Sequence, residues 1–597
     1  MPYHVKQFSM SRGKEVMERL IRGAMGEIKA DLIVTGAKLV NVYTGEIIDG
    51  VEIAVLDGRI CYVGPRARHA QGEATEVLDA GGCWIAPGFI DAHTHIGHYC
   101  RPYEHLQSYL PRGTTALVAS CDELGTVFGT RGMKFFLDEV ETHPLRVYTL
   151  LTMVAPQDPW LCNTATFTDS EVAAALDDPR VLGMGEIVSW LRLLQCDGEL
   201  LERLAAAHRR GQIIHGHTAG ARDQKLCAVA AAGISSCHEP IQAADALERL
   251  RLGYWTMLRE GSLRQDLAAT LKPLIERGIS LQRLILVTDS MLPDDVAERG
   301  HMDHVIRRAI SLGMSPVQAI QAVTLNAATY SSLEQDIGGI APGRFADLVL
   351  LDDLAGCRVK QTLIGGKVVA RDGISLMPDC PLSPPEEMFH SFKLSPAVAL
   401  ERFKVPCPKD GARIRVMELL NQTITAEKIL GVEASCGFIE ASPANDLMKV
   451  AMFDRHGGSG KPAIGFLMGL GAKVGAIGLT VNLDENTLMV VGSDDADMGL
   501  CADALIEWGG GVAVVDGGEV LAKIELPLGG LSSLAPWREV GGALSRIQRC
   551  LRERGSLFPG PLCPLIFLSF VTLPSLRITS RGLVNAKERR IVSLFVD

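Results

Sequence analysis

The sequence predicts an α/β protein in three parts: a (β/α)8 barrel of the TIM type, a small β-domain built from both of its flanks, and a further α+β domain towards the C-terminal end. Three observations carry this. Between about residues 85 and 335, strand-like apolar runs alternate with helical stretches about eight times, the proportion of such a barrel. Short strand-like blocks precede and follow that alternation, each too small to fold alone. Beyond a proline-rich stretch about 200 residues remain, enough for a separate domain.

Residues 1–30 read as an N-terminal helical segment, amphipathic over 12–29. The runs DLIVTGAKLVNV, VEIAVLDGRICYVG and TEVLDA follow, with Gly and Asp at turn positions. Residues 31–84 are expected to join 336–376, which contain GGIAPGRFADLVLLDDL and VKQTLIGGKVVARDG, in one small β-sandwich. The barrel is expected over 85–335, with strands such as TTALVAS, RVYTLLTMV and YWTMLRE and helices such as ELLERLAAAHRRG between them. Residues 377–394, with MPDCPLSPPEE, read as a linker, and 395–597 as the C-terminal α+β domain.

Composition narrows the function classes. Of the 597 residues 47% are apolar and 22% charged, ordinary for a globular chain, and the net charge is -11. That balance speaks against nucleic acid and anionic membranes as partners. The 15 cysteines include no CxxC pair. Reduced thiols in a cytoplasmic protein are therefore expected, and a zinc ribbon or an HxE…PCxxC deaminase is not. The N-terminus shows no apolar signal core. The apolar stretch from Leu562 to Leu576 is short and carries Pro564 and Pro574, so it reads as buried structure and not as a membrane span.

The chemistry starts at PGFIDAHTHIGH, residues 87–98. Alternate residues of a strand face one way, so His93 and His95 offer two imidazoles to one site. Such a pair alone is a weak signal. Further ionisable residues end later apolar runs: Glu186 in VLGMGEIVSW, His215 and His217 in QIIHGHTAG, His238 and Glu239 in GISSCHEP, and Asp289 in LILVTDS. Buried strand ends are apolar by default. Repeated exceptions at the ends of one alternation point to a metal site at the mouth of the barrel.

With these residues in place, the chain resembles the amidohydrolase superfamily: HxH on the first strand, a carboxylate on the fourth, His on the fifth and sixth, and Asp on the eighth. Within it, the chain is similar to bacterial-type adenine deaminases almost throughout. KLVNVYTGEI, LRLGYWTMLREGS, DRHGGSGKPAIGFLMGLG, VVGSDDADM, GGGVAVVDGGEVLA, PLGGLSS and LSFVTLPSLRITSRGL carry that similarity. The chain departs from the family pattern at three places. Gly97-His98-Tyr99 stands where the family has Glu-Ser-Ser. Ser290-Met291-Leu292-Pro293 stands where it has Asp-Arg-His-Pro. His217-Thr218-Ala219-Gly220 stands in the segment resembling GHAPG.

The resemblance implies hydrolytic deamination of adenine to hypoxanthine and ammonia, within purine metabolism and salvage. It implies two divalent metal ions, Mn or Fe before Zn, held by His93, His95, Glu186, His217, His238 and Asp289, with Glu186 shared between them and a water activated by the pair. Asp289 is expected to accept that water's proton. Glu239 either protonates the ring nitrogen or orients a histidine. His98 reads as a solvated loop histidine or as a replacement for the missing Glu. His215 and Ser290 are candidates for contacts around the centre or with the substrate. His456 and PLGGLSS belong to a C-terminal domain that either closes over the mouth or supplies turns only. The resemblance also implies a homodimer. Two alternatives stay open: action on another amino-heterocycle or cyclic amide, and a non-catalytic scaffold of the same fold.

Overall fold

The computed structural model describes residues 13–151, 158–389, 391–395, 398, 400–457 and 460–596. The expected N-terminal helix is present as Lys14–Ala24, while residues 1–12 lie outside the described part.

The two flanking blocks meet in one sheet. Trp84–Pro87 pairs in parallel with Leu32–Asn41 and antiparallel with Leu348–Asp353, which places Ile85 and Leu348 in one core with Leu39, Ile53 and Leu363. Where a two-sheet sandwich is expected, the nine strands form one continuous hydrogen-bonded sheet. A break of register between Val34 and Ala37 lies in its long hairpin, and such irregularities bend a sheet without dividing it.

Parallel strands make the centre of the molecule. One six-stranded sheet runs in the order Ile213–Gly216, Val181–Ile187, Arg146–Leu151, Thr114–Ser120, Phe89–His95, Asp289–Ser290. A second runs Ser236–Cys237, Trp255–Arg259, Leu284–Val287. Thr288 alone separates Leu284–Val287 from Asp289–Ser290, so the last strand passes from one sheet to the other. Among the described residues no ladder joins Ile213–Gly216 to Ser236–Cys237. The chains nevertheless come close there, since a Cβ on Gly216 would lie 2.7 Å from the Ser236 carbonyl oxygen. Thr114–Ser120 and Leu284–Val287 are buried throughout, the pattern of parallel strands covered on both faces. Helices between them start at defined caps: Thr168 forms a capping box with Glu171, and Asp197 accepts from Leu200 N.

The proline-rich stretch is not a free spacer. Tyr103 and Gln107 both donate to the Pro378 carbonyl, and Arg101 donates to that of Leu382. Extended proline-rich backbone leaves its carbonyls without internal partners, and the helix Pro102–Tyr109 takes them up.

A second nine-stranded sheet, mostly antiparallel, fills the C-terminal part, with helices Asp495–Glu507 and Trp537–Glu553. The latter has 17 residues and so spans about 25 Å. Val540, Leu544, Ile547 and Leu551 form its buried stripe. It packs on the short helix Pro293–Glu298 at Gly541, where a Cβ would meet the Pro293 carbonyl at 3.0 Å. Ser532–Ser533, within PLGGLSS, pairs in parallel with Tyr99–Cys100. The C-terminal part is thereby stitched to the segment that follows the HxH strand. Among the described residues no helix is long and apolar enough to cross a membrane.

Candidate metal centre

The register of the parallel strands brings their ends to one level. Asp289 pairs with Thr94 and Ser290 with His95, and His95 in turn with Ser120. The register breaks between Asp91 and Thr94, and both of these side chains meet the Thr288 hydroxyl, Thr94 Oγ1 at 3.0 Å. Asp91 accepts from Thr288 N at 3.2 Å and from its hydroxyl at 2.5 Å, fixing the residue before Asp289. Asp289 itself has φ 65°, a left-handed turn that Asp tolerates better than most residues.

All six residues expected as ligands converge. His93 Nε2 lies 3.1 Å from Asp289 Oδ1. His95 Nε2 lies 3.6 Å from Glu186 Oε1 and 3.8 Å from Asp289 Oδ1. Glu186 Oε2 is 2.7 Å from His217 Nδ1 and 3.1 Å from His238 Nε2. Gly185 makes the approach of this strand to the next possible, since a Cβ there would sit 2.6 Å from His215 Cβ. His215 stands behind the cluster. Its ring stacks on His93 at 4.4 Å, Nε2 meets His238 Nδ1 at 3.1 Å, and Nδ1 meets the Tyr330 hydroxyl at 2.9 Å.

The charges are mutually dependent. Burial would raise Glu186, but His217 and His238 hold it well below the usual range. Burial likewise opposes ionisation of Asp289, which His93, His238 and Arg259 overcome. Burial disfavours a charged His95, yet Glu123 and Glu186 lift it to about 10. Burial and the charge of His238 push His93 down to about 4.

Above the cluster lies a cavity of about 370 Å³. His95, Glu186, His217, His238, Asp289, Glu239, Ser290 and His98 line it, and Leu483, Asp484, Asn486 and Phe570 from the C-terminal part cover it. His98 is not a solvated loop residue, because its Nε2 bonds Asn486 Oδ1 at 3.1 Å. His456 stays outside the cavity lining, and its backbone N donates to Asp454.

Two residues of the centre went unmarked in the sequence. Arg259 ends the seventh parallel strand and reaches three carboxylates: Glu239, Asp289 Oδ2 at 3.1 Å and Asp266 at 3.1 Å. It carries the signal that marked the ligands, a charge ending an apolar run. Glu123 follows Thr114–Ser120 and meets His95 Nδ1 at 3.2 Å. Its carboxylate fills the space beside Gly97, where a Cβ would come within 2.7 Å of Glu123 Oε2.

Comparisons with known proteins cover nearly the whole chain. The Amidohydrolase family model matches residues 84–369, and that of the Adenine deaminase C-terminal domain matches 422–590. The chain is 39% identical over 587 residues to an adenine deaminase of Moorella thermoacetica, covering 97% of this chain and 98% of that one. The chain belongs to the adenine deaminase family. An adenine deaminase of Rubrobacter xylanophilus is 36% identical over 595 residues, with 98% of each chain covered. One of Cenarchaeum symbiosum is 37% identical over 576 residues, covering 96% of this chain and 94% of that one. The amidohydrolase match gives the parallel sheets their place in an α/β amidohydrolase fold, and the adenine deaminase match accounts for the C-terminal part that covers the cavity.

Proposed function

We propose that this chain hydrolyses adenine to hypoxanthine and ammonia at the cluster formed by His93, His95, Glu186, His217, His238 and Asp289. The observation that carries this is the convergence of all six side chains beneath one cavity, in a chain of the adenine deaminase family. It is a hydrolase of carbon–nitrogen bonds, and the retained ligand set speaks against a scaffold. About 370 Å³ falls within the range of small-ligand sites. The two parallel sheets are read as one (β/α)8 barrel over 85–335, flanked by the composite β-domain of 31–84 and 336–376 and covered by 395–597.

The donor set fits a divalent metal centre. Four groups of three side chains each place one nitrogen or oxygen within 4.8 Å of the others: His93, His95 and Glu186; Glu186, His217 and His238; His93, His215 and His238; and His238, Glu239 and Asp289. Two groups sharing Glu186 suit a pair of ions, and mixed imidazole–carboxylate donors suit Mn or Fe, with Zn also accommodated. When bound, such ions supply Lewis acidity and make water nucleophilic near neutral pH.

The chain's own residues do the rest. Asp289 is held ionised by His93 and Arg259 and takes the proton from the attacking water. Glu239 lies between Arg259 and His238, 3.3 Å from His238 Nε2. Burial works against its ionisation, but the Arg259 charge keeps the carboxylate deprotonated. Glu239 therefore orients His238 first, and passes on a proton it receives rather than one of its own. Leu483 and Phe570 keep bulk water from the reacting ring.

The test is ammonia release from adenine and a panel of other aminopurines by Mn-loaded protein. Release from adenine, abolished by a chelator and restored by Mn, is the expected result. No release from adenine alongside turnover of another ring would move the reading to a different amino-heterocycle. Fewer than about one tightly held ion per chain after metal-replete expression would overturn the centre itself.

A further inference from the structure

The segment after the HxH strand holds a histidine that the mechanism above does not use. His98 lines the cavity, and its surroundings determine which ring nitrogen carries the proton.

Thr126 donates its hydroxyl proton to the Glu123 carbonyl at 3.0 Å. That oxygen can then only accept, and it accepts from Asn486 Nδ2 at 3.1 Å. The Asn486 amide is thereby oriented, and its Oδ1 faces His98 Nε2 at 3.1 Å. An amide oxygen cannot donate, so Nε2 must carry the hydrogen. Burial lowers the His98 pKa from its ordinary value, which keeps the ring neutral. A neutral imidazole protonated at Nε2 has a lone pair at Nδ1. Among the described residues Nδ1 has no hydrogen-bond partner, and it is not sealed from the cavity that the ring lines.

The backbone holds this arrangement from both sides. Asn486 has φ 48° in a cap loop, and its carbonyl accepts from the buried Arg455. The Gly97 carbonyl accepts from the Ser532 hydroxyl at 2.9 Å, and Tyr99 N donates to the Leu531 carbonyl at 2.7 Å. The His98 carbonyl accepts from His105 Nε2 at 2.9 Å.

We infer that His98 Nδ1 is a substrate-reading acceptor that takes a hydrogen bond from the imidazole-ring N–H of the free purine base, and that the cap residue Asn486 sets its tautomer. A free base has that N–H; a base alkylated or glycosylated at the same nitrogen does not. The site would therefore select free bases through a protein acceptor left unpaired by the wrong ligand. This inference rests on the adenine reading of the cavity.

The experiment compares adenine with 9-methyladenine in wild-type, His98→Phe and Asn486→Asp proteins, full-length and Mn-loaded. Melting temperature and metal content check the fold of each. Wild-type should prefer adenine by at least about tenfold in kcat/KM. His98→Phe should raise the adenine KM by about tenfold, change kcat by less than about threefold, and abolish the preference. Asn486→Asp is nearly isosteric and draws a second proton onto His98. It should raise KM in the same way without loss of metal. Unchanged KM and an unchanged preference in a folded His98→Phe protein would overturn the inference. If that variant does not fold, the same result in Asn486→Asp overturns it. Absence of adenine turnover in the wild-type protein would instead be a failure of the deaminase reading.

Discussion

Replacing Arg259 by Gln removes the one cation seen to touch Glu239, Asp289 and Asp266 together. The Arg259 side chain is only 4% exposed, and Asp289 and Asp266 each lie 3.1 Å from it. At that separation a unit pair at an effective dielectric of about 20 attracts by about 5 kcal/mol. Most of that attraction offsets the cost of burying the charges. Breaking the pair from one side leaves Asp266 with Arg264, and leaves Asp289 and Glu239 with the imidazoles of His93 and His238, so the cost falls below the about 3–5 kcal/mol of a wholly uncompensated buried charge. Arg259→Gln should therefore lower the melting temperature by several degrees. It should also lower kcat about a hundredfold, because Asp289 and Glu239 lose the fork that fixes their positions. Calorimetry and ammonia release at saturating adenine measure the two effects. A variant with wild-type melting and wild-type kcat would refute the account of Arg259 as the shared counter-charge.

Three other outcomes are expected. Asp289→Asn should keep at least half of the bound metal yet lose a hundredfold or more in kcat, by order of magnitude; metal analysis with single-turnover kinetics checks this, and full activity would exclude Asp289 as the proton acceptor. Gly185→Ala places a methyl 2.6 Å from His215 Cβ on a backbone at φ 149°; denaturant melts should show a loss of about 1–3 kcal/mol, and metal content should fall with it. Burial, outweighing the donors from Ser580 and Asn163, pushes Glu485 up to about 7. The folded state then holds more protons than the unfolded one between about pH 4.5 and 7, so stability falls as pH rises through that window and levels off above it. Denaturant midpoints from pH 5 to 8 should decline in wild-type and decline less steeply in Glu485→Gln, where the neighbouring Asp484, likewise pushed up to about 7 by burial, keeps its share of the slope; equal slopes would refute the assignment.

Much of the centre was legible because its residues break a local rule. Buried parallel strands should end in apolar residues, and Glu186, His217, His238 and Asp289 do not. Arg259 breaks the same rule, but a search for metal ligands passes over arginine. Asn486 could not have been found this way. It sits in a polar loop, where an asparagine is the default, and its partner His98 lies 388 positions earlier. The continuous sheet of the two flanks was hidden for a related reason. Periodicity marks Trp84–Pro87 and Leu348–Asp353 as strands, but says nothing of which edge meets which. Pro378 shows the converse: its composition reads as linker, while donors from Tyr103 and Gln107 pin it to a helix.

The parallel pairing of Tyr99–Cys100 with Ser532–Ser533 also sets an order in time. A ribosome adds about 5–20 residues per second. The 388 positions from His98 to Asn486 thus correspond to about 20–80 s of synthesis at that rate. Asp289 completes the strand ends 191 positions into that stretch, so for the last 197 positions, about 10–40 s at the same rate, their histidines and carboxylates stand without the cover that will bury them. The nascent chain must stay soluble with its cavity open, which makes this half-built stage the point at which chaperone binding or premature cation capture would act.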